Sequence, residues 1–239
     1  MRFLLLSLAL IGSVASTAAV ANDTEIGQAV LSTNRFLSYH PDQLWRGRAL
    51  ESYQAGDYEK AFKQFRRSAR FAEKGSQAMV AEMLWSGQGT TADRAAAYAW
   101  MDLAAERGYA DFLRRREAYW SELSESDRQR AIEIGKEVYA EYGDDVAKPR
   151  LASKIRQGRL AATGSRTGGS ANVRSYQRIG DGDDYVVFDG SQFYSEQFWQ
   201  PEAYFAWQDK VWKNINRGQV TVGELMQAAP VPEPTDPDA

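Results

Sequence analysis

The sequence predicts a mainly α fold: a short solenoid of helical hairpins followed by a small aromatic-rich C-terminal segment. Three observations carry that expectation. Apolar residues recur at helical spacing from residue 42 to 142, in runs closed by glycines. Alanines within that region recur 36 residues apart, as Ala61 with Ala97 and Ala69 with Ala105. Eight aromatic side chains then crowd into residues 193–212.

The helical elements follow in order. Leu44, Trp45, Ala49 and Tyr53 lie on one face of a first helix that Gly56 ends. Asp57 can cap a second, carrying Ala61, Phe62, Phe65, Ala69 and Ala72 before Gly75. Ala78, Ala81, Met83, Leu84 and Trp85 form a third, closed by the turn Gly87-Gln88-Gly89. Asp93 starts a fourth with Ala97, Trp100, Leu103 and Ala104, and Gly108 ends it. Residues 112–120 make a fifth. Ser124, with Asp127 three positions on, opens a sixth as an imperfect capping box. Its stripe is Ala131, Ile134, Val138 and Tyr142, and Gly143 closes it. Short loops throughout predict antiparallel neighbours.

The 36-residue recurrence resembles the Sel-one-like repeat family, short relatives of the tetratricopeptide repeat. The match rests on Gly87, Gly89, Asp93, Ala97, Trp100, Ala104-Ala105 and Gly108, paralleled by Gly56, Asp57, Ala61, Phe65, Ser68-Ala69 and Gly75. It covers residues 42 to about 112, under a third of the chain. The first copy departs from the pattern: Ala55-Gly56 replaces the Gly-x-Gly turn, and Gln64 stands where the family carries an aromatic. Gly75 and Gly108 are 33 apart, so the first copy is read with three extra residues near residues 70–72. The resemblance implies an α-solenoid that serves as scaffold or adaptor, with structural alanines and glycines and no transferred activity.

Composition limits the function classes. The net charge of −3 and pI near 5.4 argue against a dedicated nucleic-acid binder. With no cysteine, disulfides, zinc fingers and thiol nucleophiles are excluded. A single histidine, His40 before Pro41, reads as a surface loop residue. Residues 1–21 read as an export signal: Arg2, an apolar run over 3–12, and Ala19-Val20-Ala21 as a cleavage site. The mature chain then begins at Asn22, periplasmic or secreted, with no transmembrane span. Residues 22–41 form an N-terminal segment and 42–143 the repeat domain.

Residues 144–180 change character and read as a basic linker containing Gly and Ser. Eight basic residues occur between 146 and 180 with no acidic one. Residues 151–160 can form a short basic helix; Lys154, Arg156 and Arg159 lie on it and Arg150 just before it, with Leu151 and Ile155 on another side. Two readings stand: a solvated linker, or an arm that docks on an anionic surface. Residues 181–228 form the aromatic-rich segment. Tyr185-Val186-Val187-Phe188 is β-prone, Asp189-Gly190 is a turn signal, and Pro201 opens a helix bearing Tyr204, Trp207, Val211 and Ile215. Trp199, Tyr204, Trp207 and Trp212 are the candidate partner-binding residues, because aromatics carry much interface energy. The competing reading makes them a small core or a cap on the solenoid. Residues 229–239 hold four prolines and three acids and read as a disordered tail.

Catalytic and metal chemistry finds little footing. Glu51-Ser52 and the 223–227 stretch resemble lytic transglycosylase motifs, but lie more than 170 residues apart, and Glu224 interrupts the second. Counting a calcium loop from Asp181 places Gln192 where a bidentate acid belongs. Gly164 to Gly169 lacks the spacing and lysine of a phosphate loop. The expectation is an exported, non-enzymatic protein–protein interaction module of the bacterial cell envelope. It has no cofactor, no metal and no nucleic-acid partner. Its protein partner is unknown, and the alternative is a glycan-binding accessory protein using the C-terminal aromatics.

Overall fold

The structure is a computed structural model that describes residues 29–161, 174–178 and 185–214. The export signal, the Gly/Ser-rich stretch after residue 161, the acidic turn at 181–184 and the tail lie outside the described residues. The fold is mainly α. Helices α1 (Asn34–Tyr39), α2 (Pro41–Gln54), α3 (Tyr58–Ala69), α4 (Lys74–Ser86) and α5 (Arg94–Ala104) lead into a 3-10 turn, Ala105–Arg107. Helices α6 (Ala110–Glu122), α7 (Glu125–Tyr142) and α8 (Asp144–Leu160) follow. Strands β1 (Arg174–Arg178) and β2 (Tyr185–Asp189) pair antiparallel, Tyr176 opposite Val187. Helices α9 (Gly190–Phe193), α10 (Glu196–Trp199) and α11 (Pro201–Asn214) end the described chain.

The hairpins arise from caps and alanines. Asp57 accepts the Lys60 N–H at 3.2 Å and Asp93 accepts that of Ala96 at 2.9 Å, so equivalent helices α3 and α5 start alike. Such caps contribute about 1 kcal/mol each. Helix α2 packs on α3, α4 on α5, and α5 again on α7. Ala49, Ala61, Ala69, Ala81, Ala97 and Ala104 are buried between them beside Phe65, Trp100, Met101 and Leu103. Small side chains let the backbones approach, and the few large ones fill what remains.

The register of the repeat needs one correction. Gly75 does not end a helix; it lies in the first turn of α4, whose N-cap is Glu73. The residue 36 before Gly108 is Ala72, and it takes the same left-handed backbone, φ 60° against 71°. The two copies therefore have equal length, and no residues are inserted. An alanine in the glycine's place hid this from the sequence, because left-handed backbone strongly favours glycine.

A second core closes the end of the solenoid. Val30, Phe36, Leu151, Ile155, Phe193, Phe198, Trp199 and Tyr204 form it. It joins residues near the start of the described chain to the aromatic segment across α8. Residues 144–160, expected as the start of a linker with a short helix over 151–160, are one continuous helix despite Pro149 within it. Burial of Ala147, Leu151, Ala152 and Ile155 outweighs the one hydrogen bond that proline forfeits. Arg174 and Arg178, also assigned to the linker, belong to β1. Asp189-Gly190, read as a turn signal, does end a strand: β2 stops at Asp189, which caps α9 through a capping box with Gln192.

Candidate interaction groove and the core beside it

Helices α2, α4 and α6 lie along one side of the repeats and leave a groove of about 640 Å³ between them. Its apolar lining includes Leu50 from α2, Ala78 and Met79 from α4, and Phe112 and Ala118 from α6, with Phe65 and Met101 from the second helices of the hairpins. Leu50 is 38% exposed, an apolar side chain that the repeat packing leaves uncovered. Charge gathers among the lining residues as Arg46, Arg114 and Arg115 against Glu82 and Asp111. Arg115 pairs with Glu82 at 2.8 Å and Arg114 with Asp111, whereas Arg46 reaches Glu73 only at 4.0 Å. Trp212 from α11 completes the lining.

The aromatic candidates do not act together. Trp199 is 1% exposed and Tyr204 fully buried, so neither meets a partner in this structure. Trp199 donates to the Phe193 carbonyl at 2.6 Å, and its ring meets Phe36, Tyr39 and His40 edge-on. Trp207 is partly buried against Phe198 and Tyr204. Only Trp212 reaches the groove. The buried side of α11 is Pro201, Tyr204 and Gln208, while Val211 is 44% exposed, contrary to the stripe read from sequence.

The four basic candidates also separate. Arg150 donates to the Arg70 carbonyl and, at 3.3 Å, to the Glu141 carbonyl, so it ties the ends of α3 and α7 to α8. Lys154, Arg156 and Arg159 stay exposed, and Arg156 lies 3.5 Å from Glu202.

His40 is not a surface residue. It is fully buried at the junction of α1 and α2, stacked on Phe36 at 3.7 Å. Its Nδ1 lies 2.9 Å from the Phe36 carbonyl oxygen and its Nε2 2.8 Å from that of Phe198. A neutral imidazole donates to only one of them. Burial nonetheless pushes the imidazole down to about 4, because the two carbonyls recover only part of the lost hydration. Asp42 is equally buried. Its Oδ2 accepts from Tyr204 at 2.6 Å and from Gln208 at 2.9 Å, while Oδ1 meets no donor. Burial, with Glu73 nearby, pushes this carboxyl up to about 6 against the hydrogen bond from Tyr204. Both contacts fasten α11 to the start of α2.

A charged cluster fastens the other side. Lys74, with a fully buried side chain, donates to Glu106 at 2.6 Å and lies 3.1 Å from Asp144. Arg107 donates to both Asp144 oxygens, at 2.7 and 3.0 Å, and to Asp209 at 3.2 Å. Burial works against ionising Asp144, yet Arg107 and Lys74 hold it well below the usual carboxylate range. Tyr109 also donates to Asp209. These links join the second repeat, α8 and α11.

Sequence reasoning missed the groove, although Leu50 and Met79, apolar residues off the main stripes, carried a signal. Among the described residues no cluster of His, Cys, Asp and Glu could hold a metal ion, and no helix is long and apolar enough to cross a membrane. Glu51 is exposed on α2, and its supposed companion at 223–227 lies outside the described residues.

No family model matches the chain, and no curated protein matches it. Among solved structures, the chain is similar to a protective antigen present in uropathogenic Escherichia coli strains and described as displaying an SLR fold. Identity is 19%, the TM-score 0.41, and the match covers 54% of this chain. The chain spans 27% of that protein's length. A likeness this slight carries no argument; the class, a protein of stacked helical hairpins, rests on the geometry above.

Proposed function

We propose that the chain is an exported, non-enzymatic protein–protein interaction module of the bacterial cell envelope, acting as scaffold or adaptor through the α2/α4/α6 groove. The groove itself is the observation that supports this. An uncovered apolar trough with arginines among its lining residues suits an apolar segment of another protein flanked by acids. The sequence of residues 1–21 supports export. The alternative, a glycan-binding protein using the C-terminal aromatics, loses support because Trp199 is 1% exposed. Lys154, Arg156 and Arg159 remain at the surface, and any use on an anionic surface is read from salt dependence.

Photocrosslinking in cells that produce the full chain tests the proposal. A photoreactive residue at Leu50 or Met79 is expected to give a discrete protein adduct, while the same residue at Ile132, which is 53% exposed, gives none. Equal labelling at all three positions, or none, would refute the groove as the working surface. Mass spectrometry of the same material checks export: the expected mature chain starts at Asn22.

A further inference from the structure

Trp212 does not come from a repeat. It stands in the last turn of α11, yet its indole lies in the groove. A Cβ added to Gly75 would come within 2.5 and 2.7 Å of the indole, so the ring packs against the α4 backbone where only glycine leaves room. Tyr109 stacks beside it at 6.3 Å, Phe112 lies at 5.2 Å, and the Arg46 guanidinium sits 5.7 Å from the ring centre. Four groups from three helices and a loop thus build one seat for a flat aromatic ring with a cation above it. The arrangement is that of a cation–π site, which favours an indole over an aliphatic side chain of similar size.

The seat is continuous with the groove and is already filled, by a residue more than 100 positions further along the chain than the groove's other apolar lining from α2 and α4. We propose that Trp212 is an intramolecular occupant of a site that takes an aromatic side chain, flanked by a carboxylate, from the partner segment. The inference rests on the groove reading and names the chemistry recognised there. Arg46 supports the carboxylate: it is 38% exposed and has only a 4.0 Å contact to Glu73, so it can turn to a second acid. Trp212 and an incoming aromatic cannot occupy the seat together. Binding therefore requires the last turn of α11 to yield while Tyr204 and Gln208 keep its first two turns fixed on Asp42.

The test uses the full chain with Trp212→Ala, probed by N-acetyltryptophan, N-acetyltryptophanamide and N-acetylleucinamide in ligand-observed NMR and calorimetry. The opened seat is expected to bind both tryptophan compounds, at least about tenfold more tightly than the leucine compound. The carboxylate form should bind about threefold more tightly than the amide, and Arg46→Gln should erase that difference. Unaltered chain should bind both tryptophan compounds more weakly, because Trp212 must first leave the seat, and Gly75→Val in the Trp212→Ala background should abolish binding. Equal binding of the leucine and tryptophan compounds, or none, would overturn the proposal. Loss of the far-UV helix signal on Trp212→Ala would overturn it too, because a removable occupant does not hold the fold. Failure of the groove as partner surface shows separately, as absent crosslinks at Leu50 with probe binding intact.

Discussion

In the repeat core many of the buried positions are alanines, from Ala49 to Ala104, supplied by helices adjacent in sequence. The second core is filled instead by Phe36, Phe193, Phe198, Trp199 and Tyr204, and it encloses His40 and Asp42. The first is assembled from local contacts between consecutive hairpins. The second joins residues more than 150 positions apart, as His40 to Phe198 and Asp42 to Tyr204. The difference teaches how a solenoid too short to be stable alone is completed. Its open end is covered by non-local aromatic packing and fastened by buried polar bonds, and the groove between α2, α4 and α6 stays open apart from Trp212.

The largest expected effect breaks the joint between the two regions. Asp144→Ala leaves Lys74 with Glu106 and the Leu103 carbonyl as partners and strips Arg107 of its two-pronged partner. Removing one member of a buried ionic cluster costs about 3–5 kcal/mol. Urea unfolding should show a loss of that size; a loss below about 1 kcal/mol would mean the cluster does not hold the regions together.

Proton linkage sharpens the comparison next. Asp42 binds protons more tightly folded than unfolded, from 3.8 to about 6, so its contribution is full below 4 and falls as pH rises to 6. His40 behaves oppositely, from 6.5 down to about 4, so its contribution is lost as pH falls from 6.5 to 4. Each amounts to about 3 kcal/mol across the window. The two slopes oppose one another, and between pH 4.5 and 6 the stability of the chain should be nearly flat. Asp42→Asn should uncover a rise with pH, and His40→Gln a fall. Slopes of the same sign in both variants would remove the second core's paired titration.

A smaller change addresses the repeat core alone. Ala72→Gly relieves the one left-handed alanine among the described residues. It should stabilise the chain by up to about 1 kcal/mol, since glycine adopts this backbone without a Cβ clash. Destabilisation beyond about 1 kcal/mol, more than loss of the buried Ala72 methyl accounts for, would contradict the equivalence of Ala72 and Gly108. Smallest is Lys63→Ala, which removes an exposed pair with Glu59 on α3 and should cost about 0.3 kcal/mol by the same unfolding measurement.

The repeat region was legible because its signals are local. Asp57, Asp93 and Ser124 cap the helices they were expected to cap, and Gly87 and Gly108 take left-handed backbone at helix ends. The second core was legible only in part: the aromatics read as a small core or a cap on the solenoid, as Trp199 and Tyr204 are, but periodicity within α11 says nothing of Asp42, 162 residues away. That is why His40 read as a loop residue and Val211 as buried. Helix α8 was half legible: its basic residues looked like a solvated linker, while Leu151 and Ile155 gave the only hint of a packed face. The groove was missed because it needs three helices side by side, and the sequence shows each one singly.

Native-state hydrogen exchange on the full chain tests most directly whether the aromatic segment is a fixed closure rather than a free binding surface. Amides in residues 34–40, 151–158 and 196–208 should open together, with the same free energy, and only when the repeat helices open globally. Rapid exchange of 196–208 while α2 to α5 stay protected would contradict it, and would return Trp199 and Tyr204 to the surface.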